Sequence, residues 1–181
     1  MRPSNRNQIL DAAIRVVERD GITSLTLESA AEEAGVTKGG LMYHFRTRDD
    51  LLLAIQRHLT AAWEERLADE LGKPLSEASS RETVGAYTRM GSQGGSSKAD
   101  LAFMVESVSQ PELAHVWNQM MSRWSPSPSS TERDQIDLLL ARLAADGLWL
   151  YEATSAAPLP EPVKQALRER LAELTAPSDD A

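Results

Sequence analysis

The chain has 181 residues, 41% of them hydrophobic, enough for one helical domain or two small ones. It contains no cysteine, which excludes disulfides and thiolate chemistry, and no run of about 18 apolar residues, which excludes a transmembrane helix. Net charge is −8, yet residues 1–60 hold eight basic and eight acidic residues, so the whole acidic excess falls on residues 61–181. The N-terminus lacks a signal-peptide pattern, and the cytoplasm is the expected compartment.

Asn5 to Asp20 reads as the first helix: Ile9, Ala13, Val16 and Val17 fall at i, i+4, i+7 and i+8, and Gly21 ends it. Thr26 is an N-cap candidate for a second helix, whose Leu27, Ala30, Ala31 and Ala34 make one small apolar face. Gly35 ends that helix in a left-handed conformation, and Val36 plugs the turn. Thr37 caps a third helix, Lys38 to Phe45, with Leu41 and Phe45 turned to the core. Thr47, with Asp50 three residues on, opens a fourth from Arg48 to Leu71, which spans about 35 Å at the helical rise.

Ser79 or Ser80 caps a helix running to about Gly91, and Gly91 to Ser97 is the most flexible stretch inside the fold. Lys98–Val108 and Pro111–Trp124 return to helix. Ser125-Pro126-Ser127-Pro128-Ser129-Ser130 is a loop, because Pro at alternate positions forbids a regular helix. Thr131, with Asp134 as capping-box acid, opens a second long helix with a broad apolar stripe that includes Ile136, Leu140, Leu143, Ala144 and Trp149. Gly147 lies in that stripe at a cost of about 1 kcal/mol relative to Ala, which points to close approach of another element. A last helix, Pro162 to Leu174, carries Val163, Leu167 and Leu171 on one face, and Ala176 onward is an acidic, frayed tail. No strand pattern and no internal repeat is present, so the expected fold is all-α.

Thr26 to Leu52 has the physical logic of a helix-turn-helix. An Ala-rich helix lets the next one cross it closely, and that second helix begins with small residues and a Lys. Lys38 and Gly39 can present backbone N–H groups, while Thr37, Tyr43 and His44 can donate to phosphates or bases. Arg48, at the start of the following helix, is a further phosphate candidate. Arg2 and Arg6 are either phosphate contacts or solvated charges.

This segment resembles the DNA-binding domain of the tetracycline-repressor (TetR) family. The resemblance rests on the small-residue helix, the Gly35-Val36-Thr37 turn, Lys38-Gly39 followed by Leu41, the Tyr43-His44-Phe45 ending, and a basic residue before a Leu-rich helix. It covers Ile9 to about Ile55. Met42 departs from the family's usual aromatic, and Gly40 stands where many members carry Thr or Ser. The resemblance implies a helix-turn-helix domain at 1–47 and a helical ligand-binding and dimerisation domain at 48–181. Its DNA face comprises Thr26, Thr37, Lys38, Gly39, Gly40, Tyr43, His44 and Arg48. The last two helices would pack against those of a second subunit through Ile136, Leu140, Leu143, Ala144, Gly147, Val163, Leu167 and Leu171. The run Leu143 to Trp149 is similar to multidrug-sensing members, which implies bulky, often cationic aromatic effectors.

The central helices hold large, soft side chains: Trp63, Tyr87, Met90, Phe103, Met104, Trp117, Met120, Met121 and Trp149. Such a set lines an adaptable ligand cavity or fills an ordinary core. Glu106, Asp146 and Glu152 are candidates to neutralise a cation. His58 and His115 stand alone, no metal-ligand spacing occurs, and no cofactor is expected. The expected function is a ligand-responsive, DNA-binding transcriptional repressor acting as a homodimer on a pseudo-palindrome. A regulator with a different effector, either an activator or one controlled by a protein, is the alternative, and a small helical enzyme a remote one.

Overall fold

A computed structural model describes residues 5–94 and 97–176. Arg2, Gly95, Ser96 and the tail from Pro177 lie outside the described residues. The helices are α1 (Asn5–Asp20), α2 (Leu27–Ala34), α3 (Lys38–Met42), α4 (Arg48–Leu71), α5 (Ser80–Ser92), α6 (Lys98–Ser107), α7 (Pro111–Trp124), α8 (Arg133–Thr154) and α9 (Glu161–Thr175). Short 3-10 turns occupy Ile22–Ser24 and Leu75–Glu77, and no strand is present among the described residues.

The chain forms two compact units, one of residues 1–62 and 97–117, the other of 63–96 and 118–181. This division differs from the expected boundary at 47/48. The reason lies in the core of the first unit. Ile9, Leu10, Ala13, Val16 and Val17 of α1 share one cluster with Ala30 and Ala34 of α2, Leu41, Phe45, and Leu51, Leu52 and Ile55 of α4. Ala99 and Phe103 of α6 and Leu113 of α7 complete the same cluster. Each of the larger side chains gains about 1.5–3 kcal/mol by full burial, so α6 belongs to this core on energetic grounds. Leu41, fully buried on a five-residue helix, is the anchor of α3, and Leu41→Ala costs about 2–5 kcal/mol by transfer and cavity together.

In the second unit α5 is central and packs on both α8 and α9. From Thr83 to Ser92 every residue except Arg89 is buried. Small residues make this possible: a Cβ added to Gly91 would lie 3.7 Å from the Ala145 Cβ, and one at Gly85 would meet the Thr175 side chain at 3.6 Å. Ser79 and Glu82 form a reciprocal capping box at the start of α5. Lys73 also binds Glu82, and these contacts hold its carboxyl down to about 2. Arg81 donates to Ala176 O at 2.8 Å and pairs with Asp134, so it ties the C-terminal end of α9 and the start of α8 to α5. Glu64 on α4 accepts from Arg123 and from Trp124 Nε1, which fixes α7 against the C-terminal half of α4.

Helix α8 begins later than expected. Its N-cap position is Glu132, with no side-chain cap, rather than Thr131. Asp134, the expected capping acid, is held by Arg81, and Gln135 turns its amide oxygen onto the N–H groups of Ser129 and Ser130 at 2.7 and 3.1 Å.

Candidate DNA interface and effector site

The turn between α2 and α3 is built by backbone chemistry. Gly35 sits at φ 67°, ψ 30°, and its N–H closes the last turn of α2 onto Ala31 and Glu32. Thr37 is extended and its hydroxyl accepts from Gly40 N at 3.0 Å. A Cβ at Gly40 would lie 3.2 Å from that hydroxyl oxygen, whereas one at Gly39 would meet nothing within 4 Å. The surface from Thr37 to Gly40 is exposed, and at Gly39 and Gly40 it is free of side-chain bulk.

Tyr43 is 87% exposed, an unusual fate for an aromatic ring with no partner in the core. Its ring meets His44 edge-on at 5.2 Å between centroids. Lys38 is paired with Glu28 of α2, whose carboxyl is held below its usual value by that ammonium. Both groups are exposed, so the pair is weak and yields readily to a stronger anion. Arg6 lies over the Phe45 ring at 5.3 Å.

Two expected contact residues serve the fold. Arg48 donates from Nε to Leu25 O at 2.8 Å and from Nη2 to Ile22 O at 2.9 Å, so its guanidinium braces the loop before α2. Thr26 caps α2 in a reciprocal box with Ser29, and its hydroxyl is engaged there. The Arg48 brace joins residues far apart in the chain, and no local sequence pattern reveals it.

The effector set is divided. Phe103 is in the core of the first unit, Met104 is 42% exposed on α6, and half-buried Trp117 also belongs to the first unit. Trp63, Tyr87, Met90, Met120, Met121 and Trp149 belong to the second unit and are all buried. Tyr87 Oη donates to Asp146 Oδ1 at 2.6 Å. Burial raises the Asp146 carboxyl above its usual value, against the opposing pull of Tyr87 and Arg142. Burial together with the adjacent carboxylate raises the Tyr87 phenol well above its ordinary value. One turn along α8 from Asp146, the Trp149 indole N–H is buried without a hydrogen-bond acceptor. Of the other candidate acids, Glu152 is paired with Lys164 at 2.6 Å and Glu106 accepts from Gln110.

On α8 and α9, Leu140, Leu143, Val163 and Leu167 are exposed, as are Ala144 and Gly147, with Ile136 half-buried. Among the described residues nothing approaches within 4 Å of a Cβ at Gly147, so the close contact expected there is not made by them. Leu171 departs from this set. It is buried against Ala141 and Ala145, because α9 packs on α8 through that side chain.

The tetracyclin repressor-like C-terminal domain matches residues 81–176, and the N-terminal domain of bacterial regulatory proteins of the tetR family matches residues 9–55. The chain belongs to the TetR family. The HTH-type transcriptional regulator BetI of Cronobacter sakazakii is 29% identical over 170 residues, covering 87% of this chain and 84% of that protein. The multidrug binding protein EbrR, solved with imidazole, is 26% identical with a TM-score of 0.65 and 99% of both chains covered. A transcriptional regulator from Saccharomonospora viridis in complex with choline shares the fold, at 19% identity and a TM-score of 0.70 over 93% of each chain. This TetR-family chain is thus a DNA-binding transcriptional regulator with a small-molecule-binding domain, and not an enzyme. No helix among its described residues is long and apolar enough to cross a membrane.

Proposed function

We propose that the protein is a cytoplasmic, homodimeric repressor released from a pseudo-palindromic operator by a cationic aromatic compound. The observation that carries the effector is the Asp146 site: a half-buried carboxylate, held by a phenol, one helical turn from an unpartnered indole N–H. Burial makes a carboxylate costly to ionise; Arg142, one turn back on α8 at 3.5 Å, offsets part of that cost, and a bound cation would offset more. Trp63, Met90, Met120, Met121 and Trp149 supply polarizable apolar surface in the same unit. EbrR has been solved with ethidium, proflavin and malachite green, which agrees with an effector of this chemistry.

For DNA, the face is Thr37, Lys38, Gly39, Gly40, Tyr43 and His44. Lys38 exchanges Glu28 for a phosphate, Tyr43 and His44 donate to the backbone, and the two glycines admit close approach. Dimerisation through Ile136, Leu140, Leu143, Ala144, Gly147, Val163 and Leu167 covers apolar surface that one chain leaves in water. Two recognition helices then read half-sites one turn of DNA apart or more. Helices α4 and α7 each carry residues of both units, and α4, which begins beside the recognition helix, is a covalent route by which an effector alters that spacing.

The test is binding of a labelled duplex from the region upstream of the protein's own gene. Lys38→Ala and Tyr43→Ala weaken binding without lowering the melting temperature, and wild-type affinity falls with salt. Unchanged affinity in both variants would refute the assigned face.

A further inference from the structure

The second unit contains a cleft of about 310 Å³ that no role above uses. Its walls are Ser80 and Val84 of α5, the loop from Ser125 to Ser129, and Gln135, Leu138 and Leu139 of α8. We propose that this cleft is a second small-molecule site, separate from Asp146, and takes an uncharged amphiphile with a compact apolar body and one hydrogen-bonding end.

Size and chemistry both point this way. The volume is at the lower end of the range of ligand pockets, about 300–1,000 Å³. Val84 is buried, but Leu138 and Leu139 are only half-buried and leave apolar surface uncovered. No ionisable side chain lines the cleft. Arg81 and Asp134, which flank Ser80 and Gln135 in the chain, are paired with each other at 2.8 Å. A charged ligand would therefore lose its hydration without gaining a counter-charge, whereas a neutral one loses little.

The cleft is also held open. Pro126 and Pro128 fix φ at two positions of the loop, which narrows the conformations open to it. Its ends are anchored: Ser125 N donates to Met121 O at 2.8 Å, and Gln135 Oε1 accepts from Ser129 and Ser130. Those two acceptor bonds fix which way the Gln135 amide points, and its Nε2 remains a donor without an acceptor among the described residues. With the Ser80 and Ser127 hydroxyls it supplies the polar end of the site.

The experiment is a fluorescence titration of the full chain with N-phenyl-1-naphthylamine, an uncharged aromatic amine that brightens in apolar surroundings. Three further proteins are titrated in parallel: Leu139→Trp, which fills the cleft; Ser127→Trp, which blocks it from an exposed loop position; and Trp149→Phe, which alters the Asp146 site. The expected result is saturable one-to-one binding that both cleft variants weaken by about tenfold or more and Trp149→Phe leaves unchanged. Ser127→Trp keeps the test decisive should Leu139→Trp misfold. Absence of saturable binding, wild-type affinity in a folded cleft variant, or loss of binding in Trp149→Phe would each overturn the proposal.

Discussion

Tyr87 on α5 donates its hydroxyl to the Asp146 carboxylate on α8 across 2.6 Å, joining the central helix of the second unit to one of the two on which it packs. Removing that hydroxyl leaves a half-buried carboxylate short of a donor. Tyr87→Phe is expected to cost about 1–3 kcal/mol in denaturant unfolding, the range for an orphaned buried group. A double-mutant cycle with Asp146→Asn should show coupling between the two sites. Additive effects would mean that the bond contributes nothing.

Burial raises the folded Asp146 value above the ordinary 3.8, so the folded state holds this proton more tightly than the unfolded chain does. The contribution of this group to stability is fullest below pH 3.8 and declines as pH rises through the raised value. Asp146→Asn removes that decline, so its stability relative to wild type improves with rising pH over the same window. A cationic dye stabilises the ionised carboxylate, and its affinity should rise with pH in wild type and stay flat in the Asn variant. A flat wild-type profile would dissociate the cation from Asp146.

Arg48 separates fold from function. Its two bonds to Leu25 O and Ile22 O are charge-assisted, and such bonds are worth about 1.5–3 kcal/mol each where they are shielded. Arg48→Ala should therefore lower the melting temperature, whereas Lys38→Ala should not, although both remove one positive charge near α3. DNA affinity measured well below the melting point should fall for Lys38→Ala and hold for Arg48→Ala. The reverse pattern would restore Arg48 to the DNA face.

Glu82 has a folded value of about 2 against an ordinary 4.5, set by Lys73 and the Ser79 cap. The stability it contributes is present above pH 4.5 and is lost as pH falls toward 2. Melting temperatures from pH 6 to 2 should fall less steeply in Glu82→Gln than in wild type. Parallel curves would show that this box is not a pH-sensitive part of the fold.

Helix positions and the DNA module were legible because their signals are local. Thr26, Gly35, Thr37 and Thr47 act through bonds to residues within four positions, and the apolar period names one face of each helix. What was not legible is long-range pairing. The Arg48 brace spans 23 and 26 residues, and Asp134, expected to cap α8, is paired instead with Arg81 from α5. Phe103 and Met104 are neighbours of similar type, yet one is in the core and the other in water. Composition could not assign them, because their fate depends on how α6 rotates against α1.

The claim that one regulator couples an operator to a cationic effector is tested most directly by measuring both affinities in the presence of the other ligand. Anisotropy of the labelled operator duplex is titrated with and without saturating proflavin, and proflavin binding is titrated with and without saturating duplex. Each ligand is expected to weaken the other by the same factor, as linkage requires when they favour different states of one protein. Tight binding of both ligands with neither affecting the other would contradict it.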